Sequence, residues 1–305
     1  MSEKIVVAVD GDPAHRAPVA WAVDRAMRTE AEIEMLYVIQ RSWGDREPAP
    51  ERLLVAAAQA VLDATADYAE RRARTHASAP KRTLAVSGAT RHTQELDFPA
   101  TRWTYGRVAE ELDLASHDGD LLVVGVHRTL STEHAFSGSL GLRVASSAAC
   151  SVALVPHDWA AGPAGVVVGV DGTLPSETAL AFAADEAASS GETLTIVCAG
   201  FSANPLLAGL VPEISLGDRR QHIVDGAAEV VRDVHPDVGV VKRVVESSPA
   251  SGLVTAAADH RMLVLGSRGR HGAKRALLGS VGHDVILNLR TPVVLARDLT
   301  EDGDA

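Results

Sequence analysis

The stretch KIVVAVDGD, residues 4–12, is a short run of β-branched and small apolar residues that ends in Asp10-Gly11. It recurs as GVVVGVDGT at residues 165–173, where the same ending is Asp171-Gly172. A continuous apolar run of this length is typical of a strand buried on both faces, and Asp-Gly favours a turn directly after it. The sequence therefore indicates that the same structural unit occurs twice in the chain.

Later segments repeat in the same order, so the similarity extends over nearly the whole chain. DLLVVGVHR (120–128) resembles RMLVLGSRG (261–269), FSGSLG (136–141) resembles LLGSVG (277–282), and the halves end in SVALVP (151–156) and PVVLAR (292–297). An internal repeat of this length indicates two similar domains.

The length of 305 residues also fits two domains of about 150 residues each. We predict domains at residues 1–157 and 165–298, joined by a linker at 158–164 in which Gly and Pro interrupt any periodicity. Residues 299–305 are predicted to form a tail.

Strand and helix patterns alternate in the second half, which predicts a parallel sheet. Strands are expected at 165–170, 193–200, 238–245, 262–267 and 292–297, with helices at 176–189, 219–234, 249–259 and after Gly282. Ser176 is expected to cap the first of these helices. The predicted fold is α/β: two tandem doubly wound domains, each with a five-stranded parallel sheet covered by helices on both faces.

The first half is longer than the second. From Asp10 to Gly125 there are 115 positions, against 95 from Asp171 to Gly266, a difference of 20. We expect an insertion near residues 89–105, either as an added hairpin or as a surface loop.

Composition limits the function classes. The formal net charge of −11 disfavours general attraction to nucleic acid or to an anionic membrane. No apolar run approaches the ~20 residues of a membrane span, and the start MSEKIVVAVD lacks the pattern of a signal peptide. The expected location is the cytoplasm, where Cys150 and Cys198 would be buried free thiols.

A glycine-rich loop follows the fourth predicted strand of the second half. Gly266 and Gly269 would let backbone N–H groups approach a ligand, because they lack a Cβ atom. Gly279 and Ser280 stand where the next helix would begin, and its unpaired N–H groups favour a phosphate. In a doubly wound sheet this loop would face Asp171 across the crevice where the strand order reverses.

The pattern Gly266-x2-Gly269-x9-Gly279-Ser280 resembles the ATP-binding motif of the universal stress protein family. The preceding strand, the following helix and Asp171 fit the same family. The resemblance covers essentially the whole chain as two tandem domains, a layout typical of actinobacterial members.

This resemblance implies an ATP site in the second half, with Mg²⁺ carried on the nucleotide. Asp171 would hydrogen-bond the ribose or adenine, and the helix start would hold the β- and γ-phosphates. The implied contacts are Gly169, Val170, Asp171, Cys198, Leu265, Gly266, Arg268, Gly269, Gly279, Ser280, Val281 and Gly282.

The first half departs from the motif at its second glycine, which is replaced by Arg128. A Cβ at this position crowds a left-handed or close-approach backbone, at a cost of roughly 1–2 kcal/mol. A weaker, altered or vacant site is expected here, involving Asp10, Val38, Gly125, Arg128, Gly138 and Ser139.

Three functions are compatible with these patterns. The leading hypothesis is a nucleotide-dependent regulator of stress adaptation with no obligatory turnover; the others are a slow ATPase or autophosphorylating enzyme, and a nucleotide-free dimerisation scaffold. Another adenine ligand, such as cyclic AMP, also fits the base pocket, and Asp10 and Asp171 could instead only cap their turns.

Neither catalytic nor metal-binding residues are predicted. No general base with a partner is recognisable, and the twelve histidines show no metal-ligand spacing. The family resemblance implies self-association, so we expect a homo-oligomer, a dimer in the simplest case. The apolar last strands could pair, either between the two halves of one chain or between chains. The protein partner is left open.

Overall fold

The structure is a computed structural model that describes residues 2–40, 51–78, 99–127, 135–201, 213–267 and 278–298. Ten strands and eight helices lie in these ranges and alternate along the chain. In the first half they are β1 Lys4–Val9, α1 Ala17–Thr29, β2 Glu32–Ile39, α2 Glu51–Ser78, β3 Ala100–Tyr105, α3 Val108–Ala115, β4 Leu121–Val126, α4 Ala135–Ser147 and β5 Ser151–Pro156. In the second half they are β6 Val166–Gly169, α5 Leu174–Ser190, β7 Leu194–Ala199, α6 Glu213–Val234, β8 Val240–Val245, α7 Pro249–Ala257, β9 Met262–Gly266, α8 Ser280–Leu287 and β10 Val293–Ala296.

All ten strands belong to one sheet, in the order β3-β2-β1-β4-β5-β10-β9-β6-β7-β8. Within each half the neighbouring strands are parallel, and the order reverses at the first strand, as in doubly wound domains. The two last strands, β5 and β10, pair antiparallel and join the halves. The predicted fold is confirmed, and the last strands pair within the chain.

Helices cover both faces of the sheet because its central strands are apolar on both sides. The first face packs against α1, α2, α5 and α6, in a core that includes Trp21, Leu62 and Ile196. The second face packs against α3, α4, α7 and α8, in a core that includes Leu112, Leu154 and Leu263. None of the helices in the described ranges combines the length and the apolar character needed to cross a membrane.

The expected insertion at residues 89–105 requires a correction. Residues 100–105 form β3, the edge strand that pairs with β2, and they match β8 of the second half. The extra length lies between β2 and β3, where residues 40–99 stand against residues 200–239 between β7 and β8. Part of it lengthens α2 to 28 residues, compared with 22 in α6, and residues 89–98 lie outside the described ranges.

Three helices of the second half begin earlier than predicted, and one of them is α6, which begins at Glu213 and not at residue 219. Helix α5 starts at Leu174 with Thr173 as its N-cap residue, because Pro175 is accepted in a first helical turn. Ser176 is therefore not the cap; its hydroxyl donates to the Thr173 carbonyl, 2.8 Å away. Helix α8 starts at Ser280, three residues before the start expected after Gly282 but at the position expected from the glycine-rich loop.

A buried ion-pair network links the two halves beside the β5–β10 junction. Glu186 of α5 is 1% exposed, and its carboxylate lies 2.6 Å from Arg25 Nε of α1 and 3.3 Å from Arg261 Nη1. Arg25 also pairs with Glu3. Burial alone would lower the pKa of Arg25, but the charges of Glu186 and Glu3 outweigh it and raise that pKa.

Candidate functional site

A cavity of about 370 Å³ lies at the carboxyl ends of β6 and β9, where the strand order of the second half reverses. Nine of the twelve residues predicted for this site line it: Gly169, Val170, Asp171, Leu265, Gly266, Gly279, Ser280, Val281 and Gly282. The remaining wall residues are Thr173, Pro175, Ser176, Val197, Ala199, Pro249, Leu253 and Leu278. Arg268 and Gly269 lie outside the described residues.

Asp171 holds its turn with one carboxylate oxygen. Oδ1 accepts hydrogen bonds from the Thr173 N–H at 3.0 Å and the Thr173 hydroxyl at 2.6 Å. Among the described residues no hydrogen bond reaches Oδ2 of this exposed side chain. Oδ1 of Asp171 therefore caps the turn, and Oδ2 remains able to accept a hydrogen bond from a ligand.

The amino end of α8 forms the opposite wall. Gly279 is its N-cap residue, in an extended conformation (φ −58°, ψ 155°). The first N–H groups of a helix lack intrahelical acceptors, so the amides of Ser280, Val281 and Gly282 are available to an anion. Among the described residues, no heavy atom lies within 4 Å of a Cβ built on Gly279, so this entrance is open.

Gly266 is required for packing, not only for a close approach to a ligand. A Cβ atom at this position would lie 2.0 Å from the Pro175 carbonyl oxygen and 2.9 Å from the Ser176 nitrogen. Both are backbone atoms at the start of α5, which cannot move away as a side chain can. The glycine lets the end of β9 and the start of α5 meet beside the cavity.

Gly266→Ala is therefore expected to lower the free energy of unfolding by about 1–3 kcal/mol, the usual cost of overpacking. Chemical denaturation of the full chain measures it, with Gly279→Ala as the matched control because space is available there. Equal stability of Gly266→Ala and the unmodified protein would contradict this contact.

Cys198 does not line the cavity, contrary to the expected adenine contact. It is 4% exposed and belongs to the first-face core, and burial raises the pKa of its thiol. Its neighbours Val197 and Ala199 point to the second face and line the cavity. Since side chains alternate along a strand, a one-residue error in position exchanges the two faces.

The pairing of β1 with β2 and of β6 with β7 shows which residue of the second half corresponds to Val38. Ala8 pairs with Leu36 in the first half, as Gly169 pairs with Val197 in the second, so Val38 corresponds to Ala199. Val38 packs against the second-face core, as Ala199 does. Matching Val38 to its counterpart would have identified Ala199 from sequence, whereas Pro249 and Leu253 reach the cavity only through the packing of α7.

The first half builds a different turn at the corresponding place. Asp10 Oδ1 accepts from the Asp12 N–H at 3.0 Å, and Oδ2 lies 2.6 Å from His15 Nδ1, so both oxygens are engaged. A Cβ on Gly125 would lie 2.3 Å from His157 Cε1 and 2.9 Å from Pro18 Cγ.

Three other residues predicted for the first-half site are only partly described or lie outside the described residues. Gly138 and Ser139 lie in the α4 backbone, the side chain of Ser139 is outside the described part, and Arg128 is outside it altogether. The prediction of an altered site in this half stays a prediction.

Two doubly wound units in tandem, each with a crevice where its strand order reverses, define a protein of the doubly wound α/β class. The chain belongs to the universal stress protein family, whose sequence model matches residues 1–156 and 165–297.

Individual relatives agree with this assignment. One universal stress protein of Mycobacterium tuberculosis is 33% identical over 189 residues, which are 60% of this chain and 63% of the relative, so less than two thirds of that relative is matched. A second from the same species is 27% identical over 320 aligned residues, covering 96% of this chain and 94% of the relative. The crystal structure of a universal stress protein from Archaeoglobus fulgidus has the same fold: 15% identity, 97% coverage of both chains and a TM-score of 0.67.

Proposed function

We propose that this chain is an ATP-binding regulator of stress adaptation and that the second-half cavity is its nucleotide site. The observation that carries the proposal is the position of Asp171 and the amino end of α8 on the wall of one 370 Å³ cavity. Family membership supports it, because three residues of the motif that resembles the family's ATP-binding pattern, Gly266, Gly279 and Ser280, lie on that wall.

The chemistry of the walls suits the parts of an adenine nucleotide. Val197, Leu253 and Leu265 offer apolar surface to the base. Asp171 Oδ2 would accept a hydrogen bond from the ribose or the adenine amino group. The amides of Ser280 to Gly282 and the Ser280 hydroxyl would donate to the phosphates, with Mg²⁺ carried on the nucleotide.

The same walls favour binding over turnover. Among the described residues that line the cavity, Asp171 is the one carboxylate, and half of it already holds the turn. Without a positioned base, a bound ATP would be held and not rapidly hydrolysed. Occupancy would then bias the conformation of the protein or its choice of protein partner.

Calorimetric titration of the nucleotide-stripped full chain with MgATP tests the proposal. One MgATP bound per chain is expected, and no binding, together with no adenine nucleotide copurifying, would refute it. Tighter binding of cyclic AMP would assign the site to a different adenine ligand. Phosphate release over many turnovers that is lost in Asp171→Asn would make the protein an enzyme.

We further propose that the protein is cytoplasmic and associates into a dimer of chains. Because β5 and β10 already pair with each other, that association would use other surfaces. Light scattering coupled to gel filtration measures the mass against 32.0 kDa for one chain, and a strictly monomeric protein would refute the dimer.

A further inference from the structure

Three imidazole rings converge at the crevice of the first half. His15 belongs to the 3-10 turn that follows β1, His127 directly follows β4, and His157 directly follows β5. One ring nitrogen from each lies within 4.8 Å of those of the other two. The ring centroids are 3.8 Å apart for His15 and His157, 4.3 Å for His127 and His157, and 4.7 Å for His15 and His127.

We propose that His15, His127 and His157 bind a divalent transition-metal ion of the Zn²⁺ class. Imidazole nitrogen is a preferred ligand of such ions, and three histidines with one further position form a common open tetrahedral site. Small movements of the three partly buried rings would bring their nitrogens to metal-bonding distance of about 2.0–2.1 Å. Mg²⁺, which prefers oxygen ligands, would not bind here.

Asp10 orients one of the ligands. Its Oδ2 lies 2.6 Å from His15 Nδ1, so this nitrogen carries the proton and Nε2 presents its lone pair. A carboxylate behind a metal-bound histidine is the usual second layer of a zinc site. Asp12 Oδ2 lies 3.9 Å from His15 Nε2, close enough for this exposed carboxylate to become the fourth ligand.

A ring nitrogen of His157 gives a second, independent indication of a bound ligand. Its Nδ1 is buried and, among the described residues, has no hydrogen-bond partner. Buried polar atoms are nearly always satisfied, so an unpaired nitrogen beside two other imidazoles requires an explanation, and a metal ion provides one.

The site is specific to the first half and does not depend on nucleotide binding in the second. Ser176 stands five residues after Asp171, as His15 stands five residues after Asp10, and Arg268 takes the place of His127 two residues after the strand glycine. The expectation of no metal site came from sequence spacing. His15, His127 and His157 are far apart along the chain, and only the fold brings them together.

Titration of the chelator-treated full chain with Zn²⁺ tests the proposal, with Co²⁺ absorption as a readout of ligand geometry. We expect one tightly bound Zn²⁺ whose affinity falls by more than about 100-fold in both His127→Gln and His157→Gln, and by about 10–100-fold in Asp10→Asn, as for outer-shell changes. Co²⁺ should give the intense visible bands of a tetrahedral site. The exposed His117 provides the matched control, and His117→Gln should bind as the unmodified protein does.

A Zn²⁺-induced rise in melting temperature separates metal binding from folding. The rise should be present in the unmodified chain and in His117→Gln, smaller in Asp10→Asn, and absent in each glutamine variant of His127 or His157 whose metal-free melting temperature is unchanged. If a glutamine variant fails to fold, His15→Asn replaces it in the same comparison. Absence of Zn²⁺ binding in the unmodified chain, or binding that survives His127→Gln and His157→Gln, would overturn the proposal.

Discussion

Gly279→Asp is expected to weaken MgATP binding by about 100-fold or more. The new carboxylate would stand at the amino end of α8, among the amides that face the proposed phosphate position. Two like charges about 4 Å apart near a protein surface repel each other by roughly 4 kcal/mol, and about 1.4 kcal/mol corresponds to a tenfold change in affinity. Calorimetry on the nucleotide-stripped full chain measures the loss.

The same substitution should leave the fold intact. Among the described residues, no heavy atom lies within 4 Å of the added Cβ, and aspartate is a better N-cap residue than glycine. The affinity for MgATP is thus expected to fall while the free energy of unfolding does not. A misfolded variant would instead lose both. Denaturation should report a free energy of unfolding that is unchanged or a few tenths of a kcal/mol higher, as for a glycine replaced by a capping residue.

Gly279→Asn is the matched control, since asparagine has nearly the same shape and also caps helices but carries no charge. It should retain most of the affinity. If the aspartate variant binds MgATP normally, the phosphates lie elsewhere; if asparagine is as damaging as aspartate, the effect is steric.

Glu186→Gln is expected to lower the free energy of unfolding by about 3–5 kcal/mol, the cost of breaking a buried ion pair from one side. Glu186 lies between Arg25 and Arg261, and with its charge removed the two guanidinium groups retain only Glu3 and Glu192 as ionic partners among the described residues. Arg25 is 4% exposed, so water cannot replace the lost carboxylate. Chemical denaturation of the full chain measures the effect.

The control lies on the same helix. Glu177 is exposed, so Glu177→Gln should change stability by no more than about 0.5 kcal/mol. Equal effects of the two substitutions would show that the network linking the halves contributes little. A loss confined to Glu186→Gln would show that the buried network stabilises the chain through the ion pairs of Glu186 with Arg25 of the first half and Arg261 of the second.

The fold could be predicted from sequence because its signals are local. The Val-rich runs before Asp10 and Asp171 must be buried on both faces, and the helical segments between strands supply the covering. The edge strand Ala100–Tyr105 was missed because its first three side chains are exposed and its pattern lacks the continuous apolar character of the central strands.

The site could be predicted only where it depends on the chain's own turns. Asp171, Gly266 and the start of α8 follow directly from strand ends and a helix start, and they line the cavity. Cys198 was assigned to the wrong face because a strand's two faces differ by a single position. Two features could not be predicted: the packing of Gly266 against Pro175 and the convergence of the three histidines. Both depend on contacts between segments that are distant in the sequence, and residue spacing does not reveal such contacts.

The two halves thus share a fold but differ in the turn that follows their first strand. In the second half one oxygen of Asp171 remains available beside an open helix start, whereas in the first both oxygens of Asp10 are engaged, one of them by His15. We therefore expect one nucleotide for each chain, held by the second half.

A crystal structure of the full chain with a non-hydrolysable ATP analogue and Mg²⁺ tests the nucleotide site most directly. The predicted result is a single analogue in the second-half cavity, with a ribose or adenine atom hydrogen-bonded to Asp171 and the phosphates against the amides of Ser280 to Gly282. An analogue bound elsewhere, or a cavity left without nucleotide at saturating concentration, would contradict the assignment.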